Sequence, residues 1–162
     1  DFCLSRGLGD VYKRQIEHMP ISANVADVIV SNCVLNLVPN KNAVFQEIHR
    51  VLKQGGHFSI SDVVLVGALP EGLRKDAEMY AGCVAGAIQK QVYMELINAN
   101  GFENITIQKE KAIVIPDDIL KNYLSPDEII SFKTGDTGIF SITVFAQKPN
   151  EQNKCTPGGG CC

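Results

Sequence analysis

The chain has 162 residues, of which 45% are hydrophobic and 20% charged, a composition typical of one folded domain and not of a disordered chain. Its formal net charge is −3 and no cluster of lysine and arginine stands out, so we expect no nucleic-acid partner, which would require a basic face. No apolar run reaches the ~18 residues of a membrane span and no signal peptide is evident, so we expect a cytoplasmic protein with reduced thiols and no membrane partner.

The first fifteen residues follow neither a helical nor a strand period. The segment from Arg6 to Gln15 resembles a translated adapter or vector remnant, so we predict that residues 1–15 are a non-native leader. The domain itself is predicted to span residues 16–148. Residues 149–162 are polar and glycine-rich, which predicts a flexible, cysteine-rich tail.

The first confident elements form a strand, a helix and a second strand. Residues 26–30 are a nearly continuous β-branched run, which predicts a strand covered on both faces. Asn40 is a candidate N-cap of the helix that follows, and Gly55-Gly56 is predicted to stop that helix. The order predicts a βαβ unit in which residues 25–31 and 56–62 are adjacent parallel strands.

Residues 70–100 are predicted to contain two helices, residues 71–80 and 89–99, joined by the small-residue segment Gly82–Ala87. Residues 102–109 and 139–147 are predicted to be two further strands. Two short helices, residues 117–123 and 126–132, are predicted between them.

Two motifs carry a resemblance to a known family. Arg50–Gly56 reads RVLKQGG and resembles the helix-to-strand turn of class I methyltransferases, with Gln54 in place of a proline. The acidic turn Ile16–Pro20, followed by the strand at Ala26, resembles a second stretch of the same family. The resemblance implies an α/β fold, a partial class I methyltransferase (Rossmann-like) sheet that lacks its first strands and ends in an antiparallel strand pair at one edge, formed by residues 102–109 and 139–147. It also implies that residues 70–100 are an insertion that covers the substrate.

The same resemblance implies S-adenosylmethionine as cofactor. Ile16 and Glu17 would flank its adenine, and Asn32 would face its methionine end. In open α/β sheets ligands bind at the carboxyl ends of the strands, where Asn32 lies. The alternative is that Glu17 is an acidic residue of a solvent-exposed loop with no role in cofactor binding.

The cysteines point to the substrate. Ser31–Asn36 and Gly82–Ala87 resemble segments of arsenite methyltransferases, including the spacing between Cys33 and Cys83. This resemblance implies that the two thiolates bind trivalent arsenic for methylation, since soft ligands select soft centres. The alternatives are an inert buried thiol for Cys33 and a small residue at a helix contact for Cys83.

The tail adds three more thiols. Cys155, Cys161 and Cys162 resemble the cysteine-rich C-terminal arms of many arsenite methyltransferases, which implies that they capture arsenic. A dispensable tail is the alternative. The three histidines are predicted to be surface or packing residues, because methylation of arsenic needs no general base.

The predicted function is therefore methylation of arsenite or methylarsenite, as a detoxifying monomer served by a thiol reductant such as thioredoxin or glutathione. The family's glycine-rich cofactor loop would precede Ile16, so we expect the chain as given to bind cofactor weakly and to lack activity. Two alternatives stay open: a class I methyltransferase that acts on a small organic molecule, and a metalloid-binding chain that does not methylate.

Overall fold

A computed structural model describes residues 16–69, 73, 84, 86–134 and 137–150 of the chain. The predicted leader and almost all of the predicted helix at residues 71–80 lie outside these residues. The same holds for Cys83 and for the tail from residue 151 onwards. In the described part of the chain, no helix is long and apolar enough to cross a membrane.

The described strands form one mixed sheet. Strands β1 (Ala26–Asn32), β2 (Leu52–Val66), β3 (Glu103–Ala112) and β4 (Gly138–Gln147) are arranged in the order β1-β2-β4-β3. β1 and β2 are parallel, whereas β4 pairs antiparallel with both of its neighbours. The predicted parallel pair and the predicted antiparallel pair at one edge are both confirmed.

The helix between the first two strands, α1, spans Lys41–Val51. Asn40 caps it as predicted, because its side-chain oxygen accepts a hydrogen bond from the backbone N–H of Ala43 at 3.1 Å. The prediction that Gly55-Gly56 stops this helix is wrong, since α1 ends at Val51 and β2 begins at Leu52.

The reason for this early end lies far away in the sequence. The buried ammonium of Lys148 donates to the backbone oxygens of His49 and Leu52, each at 2.8 Å, and so satisfies carbonyls that the last turn of a helix leaves open. Gly55 and Gly56 lie within β2, where Gly56 has a role in the packing of the sheet. A Cβ on Gly56 would lie 3.0 Å from the backbone oxygen of Asp27 in β1, so glycine allows the two strands to approach closely.

Three further α-helices with described bounds cover the sheet: α2 (Lys90–Ala99), α3 (Asp117–Leu120) and α4 (Pro126–Thr134). α2 ends as predicted, at Asn100 and at Gly101 with φ +81°, a conformation that glycine adopts without strain. α3 is shorter than its predicted range, because residues 121–123 form a turn.

Successive side chains of β2 point to opposite faces of the sheet and contribute to two hydrophobic clusters, one on each face. The first cluster lies under α1 and α2, where the Phe45 ring packs edge-on against Tyr93 with 5.5 Å between the ring centroids. The second cluster lies on the other face and contains Val63, Leu65, Leu73, Val84, Ala87, Ile115, Leu120, Ile129 and Ile139.

β1 differs from the prediction of a strand covered on both faces. Val28 is 49% and Val30 75% exposed. Among the described residues β1 pairs only with β2, so it lies at the edge of the described sheet. The apolar run therefore predicted the strand correctly and its burial wrongly.

Candidate functional site

The predicted cofactor residues lie around the end of β1 and the start of α1. Asn32 is the last residue of β1 and is exposed. Glu17 is half-buried, and its Oε1 accepts the backbone N–H of Asn40 at 3.0 Å, just before α1. Ile16 packs against the first hydrophobic cluster. Glu17 is therefore tied to the loop that leads into α1, and this loop begins after the end of β1.

Cys33 follows β1 directly in a strained conformation. Its φ is +54°, in the left-handed region that disfavours side chains other than glycine, asparagine and aspartate. Its backbone N–H donates to the oxygen of Ser61 in β2 at 2.8 Å, which holds the strained residue in place. The half-buried side chain packs against the second hydrophobic cluster. Such strain, held by neighbouring structure, is a frequent feature of functional sites.

Cys83, the second predicted arsenic ligand, lies outside the described residues, but two of its close neighbours do not. Val84 is 1% exposed and belongs to the same hydrophobic cluster that Cys33 packs against. Gly86 lies so close to Asn36 that a Cβ added to it would be 1.7 Å from the Asn36 backbone oxygen. Val84 and Gly86 themselves thus pack close to Cys33 and to Asn36, respectively.

A buried carboxyl group near Cys33 was missed by the sequence analysis. Asp62 is fully buried in β2. Its Oδ1 accepts the N–H of Val63 at 3.1 Å, and its Oδ2 accepts the hydroxyl of Tyr93 at 3.5 Å. Loss of hydration raises the pKa of Asp62 to about 6, against smaller opposing effects of the Val63 N–H, the Lys41 charge and the Tyr93 hydroxyl. An acid inside the apolar run of β2 was the available signal.

The charges around Asp62 are linked to Cys33 and Lys41. Burial, with smaller effects of Asp62 and then of the Cys33 charge, raises the pKa of Tyr93 well above its usual value. Burial also lowers the pKa of Lys41, and the attraction of Asp62 partly offsets that effect. Cys33 therefore lies within electrostatic reach of the Tyr93 hydroxyl, which itself donates to Asp62.

Asn36 is the second residue that the sequence analysis missed. It is 5% exposed, and its Nδ2 donates to the backbone oxygen of Val63 at 2.7 Å. Its Oδ1 is buried and accepts no hydrogen bond in the described part of the chain, and the same holds for Oγ of Ser31. Buried acceptors of this kind are rare in native proteins.

In the described part of the chain, this site contains neither a histidine nor a group of side chains that could bind a metal ion. His49 and His57 pack against the rings of Phe102 and Phe145, as predicted for packing residues. Within the described ranges, no three His, Cys, Asp or Glu side chains are grouped so that they could hold a metal ion. The predicted arsenic ligands of the tail, Cys155, Cys161 and Cys162, lie outside those ranges.

Comparisons with known proteins agree with the resemblance in the sequence. A family model described as a methyltransferase domain matches residues 10–101. The chain is 39% identical over 93 residues to an arsenite methyltransferase of Halobacterium salinarum, and the aligned region covers 57% of this chain and 24% of the relative. It is 33% identical over 132 residues to an arsenite methyltransferase of Aquipseudomonas alcaligenes, and that aligned region covers 82% of this chain and 35% of the relative.

A solved structure gives the same result at the level of the fold. The arsenic(III) S-adenosylmethionine methyltransferase of Chlamydomonas reinhardtii matches with a TM-score of 0.64 and 27% sequence identity, over 86% of this chain and 43% of that one. The chain spans about a quarter to a third of the length of the two curated relatives. The resemblance to arsenite methyltransferases is thereby confirmed.

Proposed function

Because the chain belongs to the methyltransferase-domain family, matched over residues 10–101, we propose that it is the substrate-binding part of an S-adenosylmethionine-dependent arsenite methyltransferase. Its substrate would be arsenite or methylarsenite. The observation that carries the proposal is the packing of the segment after Cys83 onto the segment after Cys33, through Val84 and Gly86.

The chain connectivity keeps the two cysteines near this contact. Cys33 precedes Asn36 by three residues, and Cys83 precedes Gly86 by three. Three residues span at most about 11 Å, so neither thiol is far from the contact between Asn36 and Gly86. A single arsenic atom bound by both thiolates is therefore compatible with the reach of the two segments.

The chemistry suits two thiols. Trivalent arsenic is a soft centre, and thiolates select soft centres. Each cysteine that binds arsenite forms one As–S bond, and the displaced hydroxide leaves with the thiol proton as water. Arsenic then keeps its lone pair, which is the nucleophile for methyl transfer. No residue has to accept a proton from arsenic, so the residues mainly have to position it.

The cofactor residues fit the proposal at the level of their chemistry. S-adenosylmethionine supplies an electrophilic methyl group when it is bound. Ile16 offers an apolar side chain, and Asn32 an exposed amide at the carboxyl end of β1. Glu17 uses one carboxylate oxygen for Asn40, and a carboxylate has further acceptor capacity for donors of a nucleoside.

The remaining parts of the proposal concern arsenic delivery and turnover. Methyl transfer raises arsenic from the trivalent to the pentavalent state, so a thiol reductant such as thioredoxin or glutathione supplies two electrons before the next round. Cys155, Cys161 and Cys162 capture arsenic and raise its concentration near Cys33, which tethering can do without any new contact at the site.

A chimaera tests this proposal. The 132 residues of the Aquipseudomonas alcaligenes enzyme that match this chain are replaced by the corresponding residues of this chain, and transfer of labelled methyl groups to arsenite is measured. We expect activity in the chimaera and its loss in the Cys33→Ser and Cys83→Ser variants. Arsenic binding is measured separately in the full chain. There Cys3→Ser serves as the matched control and is expected to leave arsenic binding unchanged.

The outcomes separate the alternatives. If the Cys33→Ser or Cys83→Ser chimaera methylates arsenite at the parent rate, the arsenic assignment fails and a small organic substrate becomes the better hypothesis. If the chimaera binds arsenite through both thiols but transfers no methyl group, this chain is a metalloid-binding protein instead.

A further inference from the structure

The contact between Asn36 and Gly86 leaves no room for any side chain but hydrogen at position 86. A Cβ there would lie 1.7 Å from the Asn36 backbone oxygen and 2.7 Å from its carbonyl carbon. Glycine therefore serves close approach at this position. The two segments therefore touch backbone to backbone.

Asn36 is fixed from its other side. Its Nδ2 donates to the oxygen of Val63 at 2.7 Å in the buried interior, and Leu35 beside it is fully buried. The carbonyl that receives Gly86 is thus anchored to β2, the strand that also holds the backbone of Cys33 through Ser61. One strand sets the position of both features.

The side chain of Asn36 is unfavourable for stability alone. Its Oδ1 is buried and accepts no hydrogen bond in the described ranges, so the group loses hydration without a replacement. An apolar residue would fill the same space without that loss. A residue that breaks a local rule in this way marks a site where geometry matters more than stability.

From these contacts we infer that Asn36 is a positioning residue: its side chain anchors the Cys33 segment to Val63 of β2, and its backbone carbonyl seats Gly86. This contact holds Gly86, which follows Cys83 by three residues, against Asn36, which follows Cys33 by three. The inference rests on the proposed function, because its consequence is that Cys33 and Cys83 meet at one arsenic atom. The contact itself lies three residues beyond each cysteine.

The test uses the full chain with Cys3, Cys155, Cys161 and Cys162 each replaced by serine, called the two-cysteine protein below. Phenylarsine oxide, whose arsenic has two exchangeable positions, is titrated into it. A Gly86→Ala variant is expected to bind at least about tenfold more weakly, because loss of simultaneous engagement removes a gain of about 10²–10⁴. Asn36→Ala removes the anchor to Val63 without adding volume, and the same direction is expected.

Two controls distinguish positioning from general damage. Gly55→Ala introduces a side chain at φ +75° with its nearest neighbour 4.0 Å away, so it strains the backbone far from the cysteines. It is expected to leave phenylarsine oxide affinity unchanged. The rate at which iodoacetamide alkylates Cys33 in a Cys83→Ser background is also expected to be unchanged by Gly86→Ala, because one thiol needs no partner.

Parent-like affinity in both Gly86→Ala and Asn36→Ala overturns the inference and leaves the proposed function intact. Parent-like affinity in Cys33→Ser or Cys83→Ser overturns the proposed function itself, and the inference with it. Weak binding in Gly86→Ala or Asn36→Ala, with normal alkylation of Cys33 and normal affinity in Gly55→Ala, supports the positioning role.

Discussion

Replacement of the buried carboxyl group by an amide, Asp62→Asn, isolates the electrostatic effect of one group beside the candidate site. Asp62 is fully buried, and the groups that face it are Lys41 from α1, Tyr93 from α2 and its own neighbour Val63. Burial dominates and raises the pKa of Asp62 to about 6. Asparagine keeps the shape and the acceptor for the Val63 N–H, and it removes the titration.

The sign of the effect follows from proton binding. Between the ordinary pKa of 3.8 and the native value of about 6, the native state holds more protons than the unfolded state, so the free energy of unfolding falls as the pH rises. The stabilisation is fully present below the unfolded pKa and is lost as the pH rises through the native pKa. From 3.8 to about 6, at 1.36 kcal/mol per pKa unit, the total is about 3 kcal/mol.

Urea unfolding at a series of pH values measures this difference. Most of this loss of stability occurs between the two pKa values. Between about pH 5 and pH 7, the free energy of unfolding is expected to fall by about 1 kcal/mol. Glu47, whose pKa is lowered chiefly by its hydrogen bond with Arg50, acts in the opposite direction only at lower pH. We expect Asp62→Asn to be more stable than the parent near neutral pH and to lack this slope. An identical pH profile in parent and variant would refute the reasoning.

Three smaller changes test other contacts. Lys148→Met is expected to lower the free energy of unfolding by about 3 kcal/mol, because the carbonyls of His49 and Leu52 lose their donor; a change below the error of urea unfolding would contradict this. Asn40→Ala is expected to remove about 1 kcal/mol as a lost helix cap, checked against the exposed control Gln46→Ala. Tyr93→Phe removes a hydroxyl that lowers the pKa of Asp62, so carbon-13 NMR titration should give a higher Asp62 pKa, and a lower one would count against the contact.

Local patterns in the sequence predicted most of the fold. The β-branched run at β1 and the cap at Asn40 each depend on neighbours within a few residues, and the structure agrees with both. The antiparallel placement of β3 and β4 came from the family resemblance. Where the order of elements and the local pattern agree, a single sequence is enough.

The differences arise where distant residues decide. α1 ends at Val51 because Lys148 satisfies its last carbonyls, which no local pattern near Gly55 contains. The exposure of Val28 and Val30 depends on which elements cover β1, and an apolar run alone does not carry that information.

The site shows the same division. Cys33 and Asn32 were identified from motifs and lie at the carboxyl end of β1, as expected. Asp62 and Asn36 were missed, because their importance comes from burial and from contacts with Tyr93 and Val63. For Asp62 the available signal was an acid inside the apolar run of β2, whereas the residue type of Asn36 alone gives no signal.

The central claim is that Cys33 and Cys83 bind the same arsenic atom, and X-ray absorption at the arsenic K-edge measures this most directly. Arsenite is bound to the two-cysteine protein, and the number of sulfur neighbours per arsenic is determined. We predict two sulfur neighbours in the parent and one in both the Cys33→Ser and Cys83→Ser variants. A sulfur count that is unchanged by either substitution would contradict the claim.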